Sequence, residues 1–423
     1  MLCRNGGCTM PDLVCIQETL KKYNQEHLLR FFDELSDNKK SKLLNQLSTI
    51  DFEKVDSLFR SLKTISIPQG EVLEPLDYFI KNEISVKERR LLENQGTEIL
   101  KQGQYAVVTM AGGQGTRLGH KGPKGTFELN LSPKKSSLFE ILADKIKQAN
   151  KRYNIQIPWY IMTSETNNKD TINYFESKNY FDYDKNNIHF FIQNKLPLID
   201  TSGNILLRET YQVYEASNGN GNLFESLATN NMVSDMKKRG IKWIFVSGID
   251  NILVKVADPI FLALTINNGT EIGAKTIFKK DPYSKDWVFC KKDSKPAMLG
   301  YERITEEITT ANIDGRFLYR EINILCHLFS IDALEKISNI DLPYHRATKK
   351  NTYINNEGMK IVPEEPNSYK FETFIFDSFR FFDNITLLRV QEEKEFAPIK
   401  DPAGIYSPDT ATKLYLKEEF NSN

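Results

Sequence analysis

Tyr105-Ala106-Val107-Val108-Thr109-Met110-Ala111-Gly112-Gly113-Gln114-Gly115-Thr116-Arg117-Leu118-Gly119 is a β-rich apolar run that opens into a glycine-rich loop, and Pro123-Lys124-Gly125 follows closely. Glycines let a backbone turn tightly and bring its N–H groups up to an anion with no Cβ in the way, a role open here to Gly112 and Gly113. Arg117 and Lys124 add fixed positive charge, with Lys121 beside them. This is how a protein would hold a triphosphate. A Walker loop requires GxxxxGK[ST], but His120 follows Gly119 and Gln114 stands five positions before it, so that pattern and a kinase built on it fail. GxGxxG fails as well, because Leu118 occupies the third glycine position. On residues alone, a glycine-rich turn with basic surface side chains is the competing interpretation.

Outward from this loop, further β-rich runs occur at 157–163, 188–193, 243–247 and 274–278, with helical stretches at 138–149 and 223–239 between them. Strands alternating with helices at this interval argue for a parallel, doubly wound α/β sheet, whose ligands sit past the carboxyl ends of its strands. Before residue 100 the pattern is helical. Leu28, Phe31, Phe32 and Leu35 share one helical spacing, and Val55, Leu58, Phe59 and Leu62 repeat it behind Asp51, a candidate N-cap. Pro68 and Gly70 break it, and prolines at 343, 363, 366, 398, 402 and 408 punctuate the end of the chain. The expected division is a helical N-terminal region (1–100), an α/β domain (101–337) and a small C-terminal domain (338–423).

Across 423 residues, 56 Lys plus Arg balance 56 Asp plus Glu. That balance argues against nucleic-acid binding, where a basic excess is the usual footprint. No apolar run is long enough to span a membrane, and the first 20 residues lack the basic start and apolar core of a secretory signal. Cysteines at 3, 8, 15, 290 and 326 are odd in number and scattered, which favours a reducing, cytoplasmic setting. The group at 3, 8 and 15 fits no metal-knuckle spacing and reads better as part of a loose tail.

The glycine loop together with Pro123-Lys124-Gly125 resembles the signature of the eukaryotic-type UDP-sugar pyrophosphorylases, most nearly those acting on UDP-N-acetylglucosamine. The resemblance extends to residues 28–32, 218–221 (NGNG), 246–259 (VSGIDNILVKVADP), 370–379 (KFETFIFDSF) and 396–400 (FAPIK). It covers nearly all the chain beyond the first 20 residues. It implies a Rossmann-like, doubly wound mixed sheet of nucleotidyltransferase type over 101–337. The implied substrates are UTP and N-acetylglucosamine 1-phosphate, and the implied products UDP-N-acetylglucosamine and pyrophosphate, formed by in-line attack on the α-phosphorus. Such chemistry rests on positioning and charge stabilisation rather than on a protein nucleophile. The sequence agrees, because its five histidines are isolated and no serine–histidine or cysteine–histidine arrangement is evident. The oligomeric state is not legible.

The resemblance makes Arg117 and Lys124 the expected stabilisers of phosphate charge, and it matches Lys400 to a lysine near the sugar phosphate. That lysine would have to reach in from the C-terminal domain. Asp250 follows an apolar strand, where an aspartate either caps a turn or offers a hard oxygen to Mg²⁺; the resemblance selects the metal. Gln193 ends a strand and has the amide donor and acceptor to read uracil. Gly219 and Asn220 match nucleotide and sugar contacts, although Asn-Gly is also a turn signal. Asn323, polar within an apolar run, must be hydrogen-bonded if buried, and its counterpart is placed on the sugar. Phe374 and Phe376 alternate as on one strand face and match aromatics of the sugar pocket, with core packing as the other interpretation.

One position departs from the pattern. Gly300-Tyr301 stands where the family usually carries Glu-Tyr, and that glutamate bonds sugar hydroxyls. Its loss removes a charged contact typically worth about 1.5–3 kcal/mol, unless Glu302 or water substitutes. The same chemistry on glucose 1-phosphate or galactose 1-phosphate, and a non-catalytic nucleotide-sugar-binding relative, are the alternatives.

Overall fold

A computed structural model of the chain describes residues 12–62, 71–131 and 134–422, without the side chains of 302, 421 and 422. Cys3, Cys8, Pro68 and Gly70 therefore lie outside the described residues, as does the Glu302 side chain.

Two units share the chain in interleaved segments: 1–69, 194–220 and 343–374 form the first, and 70–193, 221–342 and 375–423 the second. This differs from the three consecutive segments expected from sequence. The reason is hydrogen bonding: residues 386–389 form a strand inside the main sheet, so the C-terminal segment belongs to the α/β unit. In the first unit, helices α1 (Leu13–Lys22), α2 (Asp37–Thr49) and α3 (Phe52–Ser61) pack Leu20, Leu43, Leu47 and Val55 against Ile199, Ile205 and Phe371. Asp51 caps α3 as expected, its Oδ1 accepting from Lys54 N–H at 2.9 Å. The 28–35 stretch, with helical spacing in sequence, instead forms two 3₁₀ turns, Glu26–Leu29 and Phe32–Glu34, and among its four apolar positions only Leu28 is fully buried.

The second unit is built on eight strands: β1 (Tyr78–Ile80), β2 (Tyr105–Met110), β3 (Trp159–Thr163), β4 (Ile188–Ile192), β5 (Trp243–Gly248), β6 (Ile272–Phe278), β7 (Glu321–Ser330) and β8 (Thr386–Arg389). Their spatial order is β1-β8-β6-β7-β5-β2-β3-β4, and Leu73–Glu74, Val288–Lys292 and Lys295–Leu299 extend the sheet beside β7. Only β7 on this path runs antiparallel to its neighbours, which makes the sheet mixed. Helices α4 (Val86–Lys101), α5 (Leu138–Tyr153), α6 (Asn168–Ser177) and α9 (Pro259–Asn267) cover one face. Helices α7 (Leu223–Thr229) and α8 (Met232–Lys238), with residues 333–337, cover the other. The single helix expected over 223–239 is broken at Asn231, whose φ of +60° cannot continue a right-handed helix.

Alternation along β2 explains the double winding. Tyr105 and Val107 join one core, while Ala106, Val108 and Met110 join the other, so the strand reads as continuously apolar. α4 and α9 pack closely because Gly96 has no side chain: a Cβ there would lie 1.9 Å from the Pro259 carbonyl oxygen. Going from β2 to β3 and β4 the chain moves one way, and β5 returns on the other side of β2. The carboxyl ends of β2 and β5 thus flank a topological switch point, the place where such sheets bind ligands.

Candidate active site

Four parallel strands end at one edge, with Gly248 in register with Met110, Met110 with Met162, and Thr163 with Ile192. The segments leaving those ends carry Gly112, Gly113, Arg117, Lys124, Gln193 and Asp250 of the expected site. After β2 the glycine loop folds back on itself: Gly115 N–H donates to Gly122 O at 3.0 Å, and Lys124 N–H to Gly113 O at 3.0 Å. Gly119 and Gly122 adopt φ of +69° and +140°, conformations that a side chain would strain. A Cβ at Gly112 would stand 3.0 Å from Gln193 Oε1, so the bare backbone of the loop and the Gln193 amide are neighbours. Gln193 itself lies one residue beyond β4 and donates its N–H to Thr163 O at 2.8 Å.

Asn167, which the sequence reading missed, fastens this loop. Fully buried, it donates from Nδ2 to Ala111 O at 2.9 Å and Gly113 O at 3.2 Å, while Oδ1 accepts from Ser164 N–H at 2.8 Å. The available signal was its place just past the carboxyl end of β3.

Asp250 leaves β5 beside the loop. Its Oδ2 is 3.6 Å from Lys124 Nζ, and both side chains are partly exposed. Gly248 makes room for this carboxylate, since a Cβ there would sit 2.7 Å from Asp250 Oδ1. Arg117 is exposed and has no ion pair among the described residues, so its donors stay available to an anion. Among the described residues no cluster of three or more His, Cys, Asp or Glu is arranged to enclose a metal ion. An accessible carboxylate such as Asp250 fits Mg²⁺, which typically takes one or two carboxylates and completes its shell with substrate phosphates and water.

Lys400 does not come from a separate domain. The 396–400 segment is stitched to the Asp250 loop: Ile399 N–H donates to Asp250 O at 3.0 Å, and Ala397 N–H donates to Asn251 Oδ1 at 2.9 Å. Asn251 Nδ2 donates to Glu395 O at 2.8 Å. The Lys400 side chain is exposed, its Nζ 5.1 Å from the centre of the Tyr406 ring. Behind this seam Lys275 Nζ lies 2.7 Å from Asp258 Oδ2 and 2.5 Å from Glu395 Oε2, and Lys81 completes the square at 2.6 and 2.7 Å. Burial alone would raise the pKa of Asp258 and Glu395, but the two ammonium groups outweigh it and hold both below the usual carboxylate range.

Asn323 lies on β7, at an irregularity where Leu325 takes φ of +54°. Its Oδ1 accepts from Leu325 N–H at 2.8 Å and from His327 Nε2 at 3.0 Å. An amide oxygen only accepts, so Nε2 carries the imidazole proton and Nδ1 is left buried without a partner. Burial drives the His327 pKa down to about 3. The unfolded chain, with a histidine near 6.5, therefore binds the proton preferentially, and this contribution to stability is present above pH 6.5 and lost as pH falls towards 3. We expect stability to fall by up to about 1.4 kcal/mol per pH unit in that window and His327→Phe to flatten the slope between pH 6.5 and 4.5. Urea midpoints across that range measure it, and an unchanged slope in the variant would refute the assignment.

In the first unit, Gly219 has φ of +92°, and a Cβ there would meet Thr373 O at 2.2 Å. Asn218 O accepts from Thr373 N–H at 2.8 Å, so the Gly219-Asn220 turn lies against the residue preceding Phe374. Phe374 and Phe376 do not alternate on a strand. The strand Ser368–Glu372 ends before them, Phe374 packs on His345 with ring centres 4.9 Å apart, and Phe376 falls in the Ile375–Phe381 turn of the second unit.

Residues 54–407 match the family described as UTP--glucose-1-phosphate uridylyltransferase. UDP-N-acetylglucosamine pyrophosphorylase of Saccharomyces cerevisiae is 35% identical, covering 95% of this chain and 86% of that protein. UDP-N-acetylhexosamine pyrophosphorylase-like protein 1 of Homo sapiens is 33% identical, with coverages of 96% and 84%. The crystal structure of the Trypanosoma brucei uridine diphosphate N-acetylglucosamine pyrophosphorylase in complex with an inhibitor superposes with a TM-score of 0.82 at 28% identity, covering 97% of this chain and 85% of that one.

Proposed function

The chain belongs to the UTP–glucose-1-phosphate uridylyltransferase family, and on that basis we propose that it makes UDP-N-acetylglucosamine and pyrophosphate from UTP and N-acetylglucosamine 1-phosphate. The relatives of 33–35% identity carry names of that activity or of its hexosamine class. The observation that carries the proposal is the switch point: a bare-backbone loop with Arg117 and Lys124 faces Asp250 across the ends of β2 and β5. A phosphate oxygen of the sugar 1-phosphate attacks the α-phosphorus of UTP. A new P–O bond forms opposite the bond to the β-phosphate oxygen, which breaks, and pyrophosphate leaves with the electron pair. Gly112 and Gly113 leave room for phosphates against the loop backbone, while Arg117 and Lys124 offset the charge that builds on them. Asp250 would hold Mg²⁺, which when bound supplies further positive charge to the phosphates. Gln193 reads the base and Asn323 offers its amide N–H groups to the sugar. Lys400 swings from Tyr406 to the sugar phosphate.

Glucose 1-phosphate or galactose 1-phosphate is the second reading of the acceptor, favoured by one observation, the absence of a side chain at Gly300. A cytoplasmic setting is part of the proposal, supported by the free thiols of Cys290 and Cys326; no helix among the described residues is long and apolar enough to cross a membrane. The test offers UTP, Mg²⁺ and a panel of sugar 1-phosphates while pyrophosphate release is followed. N-acetylglucosamine 1-phosphate is expected to give the highest kcat/KM. Silence with every sugar would leave a nucleotide-sugar-binding protein.

A further inference from the structure

The row of the sheet that carries Asn323 has a member that composition and motif did not single out. Val288 pairs with Leu299 on one side and with Ile322 on the other. Continuing both registers by one residue puts Trp287 opposite Gly300 and opposite Asn323, and Asn323 is itself paired with Thr276. Directly opposed residues point to the same face of a sheet. Val288, Leu299, Ile322 and Ile277 fill the core on one face, so Gly300, Trp287 and Asn323 share the other. There the Trp287 ring lies on that of Phe376, with centres 4.8 Å apart and planes inclined by 33°, and both rings are only partly buried. On the continued registers, Gly300, which has no side chain to compete for space, flanks Trp287 on one side and Asn323 on the other.

We propose that Trp287 is a specificity-determining residue of the sugar subsite, its indole forming with Phe376 an aromatic wall for the apolar C–H face of the pyranose. This rests on reading the Asn323 row as the sugar side of the site. A pyranose presents C–H groups on its faces and hydroxyls around its rim, so a partly exposed indole holds the ring by its face while Asn323 reads the rim. The chain thereby replaces a charged contact at position 300 with a stacking contact from position 287. Selection then depends on whether a sugar offers a flat apolar face more than on the direction of any one hydroxyl.

The experiment compares the full chain with Trp287→Ala and Trp287→Phe. Calorimetry measures affinity for UDP-N-acetylglucosamine and for UDP, and initial rates give KM for each substrate. Trp287→Ala is expected to weaken UDP-N-acetylglucosamine about 10–50-fold while leaving UDP within about twofold. KM for the sugar 1-phosphate should rise in proportion and KM for UTP stay unchanged, with Trp287→Phe restoring most of the loss. Equal weakening of UDP and UDP-sugar, or no change in either, overturns the proposal. Should Trp287→Ala not fold, Trp287→Leu, which keeps apolar bulk without the aromatic face, must show the same selective loss. A wild-type chain without turnover that still shows this selective binding loss would remove the enzyme assignment and leave the subsite standing.

Discussion

Asp250→Ala is expected to lower kcat by about 10³-fold and to abolish its dependence on Mg²⁺ concentration, with the thermal midpoint within a few degrees of wild type. The chemical loss is expected to be large because, on the proposed reaction, negative charge gathers beside this carboxylate, which lies 3.6 Å from Lys124. The structural loss is small for two reasons. The side chain is partly exposed, and the bond that fastens the 396–400 segment uses the backbone oxygen of Asp250, which alanine keeps. Steady-state rates against Mg²⁺, together with a melting curve, measure both. Turnover near the wild-type rate, or a lost fold, would contradict the assignment of Asp250 as the metal-holding residue.

Lys275→Met is expected to destabilise the protein by about 3–5 kcal/mol at pH 7, the typical cost of leaving a buried charge without its partner. Methionine keeps the length and bulk of the side chain, so a cavity contributes little and the loss reports the charge. Lys275, Asp258 and Glu395 are all buried, and Lys81 would then face both carboxylates, with only the longer Lys255–Glu395 pair at 3.8 Å beside it among the described residues. The effect depends on pH in a definite direction. Asp258 and Glu395 have depressed pKa values, so their contribution is present above about pH 4 and lost as pH falls through the folded-state values. Lys275 is raised, because its two carboxylates outweigh the opposing effect of burial; its contribution is complete below about pH 10.5 and lost as pH rises beyond that. The gap between variant and wild type should therefore be widest near neutrality and narrow in acid, where protonation relieves the stranded carboxylates. Urea unfolding at pH 7 and pH 4 measures it, and a gap that widens in acid would refute the network account. Glu395 links this square to the Asp250 loop, because its carbonyl oxygen accepts from Asn251, so kcat should also fall.

Much of this architecture was legible locally. Tyr105–Met110 is apolar on both faces because it is buried on both, and the glycines that follow it could only mark a tight loop. Asp51 announced the start of α3 through its short polar side chain, and the strand ends carrying Gln193 and Asp250 followed from the same alternation. Phe374 and Phe376 misled because an i, i+2 spacing implies a shared face only if the backbone is extended there, and it is extended only to Glu372. The helix expected over 223–239 failed at one residue, Asn231, whose left-handed conformation no periodicity reveals.

What the sequence determined by itself was the alternation of strands and helices after residue 105, the glycine loop behind the first of those strands and the family, since each depends on residues close in the chain or on a shared pattern. The tertiary structure decided which distant residues meet. It joined the segment carrying Lys400 to the Asp250 loop, made a charged square from Lys81, Asp258, Lys275 and Glu395, and set Val288, the neighbour of Trp287, between Leu299 and Ile322. Sheet register and buried charge pairing set those meetings. Both are properties of segments far apart in sequence, and no local pattern records them.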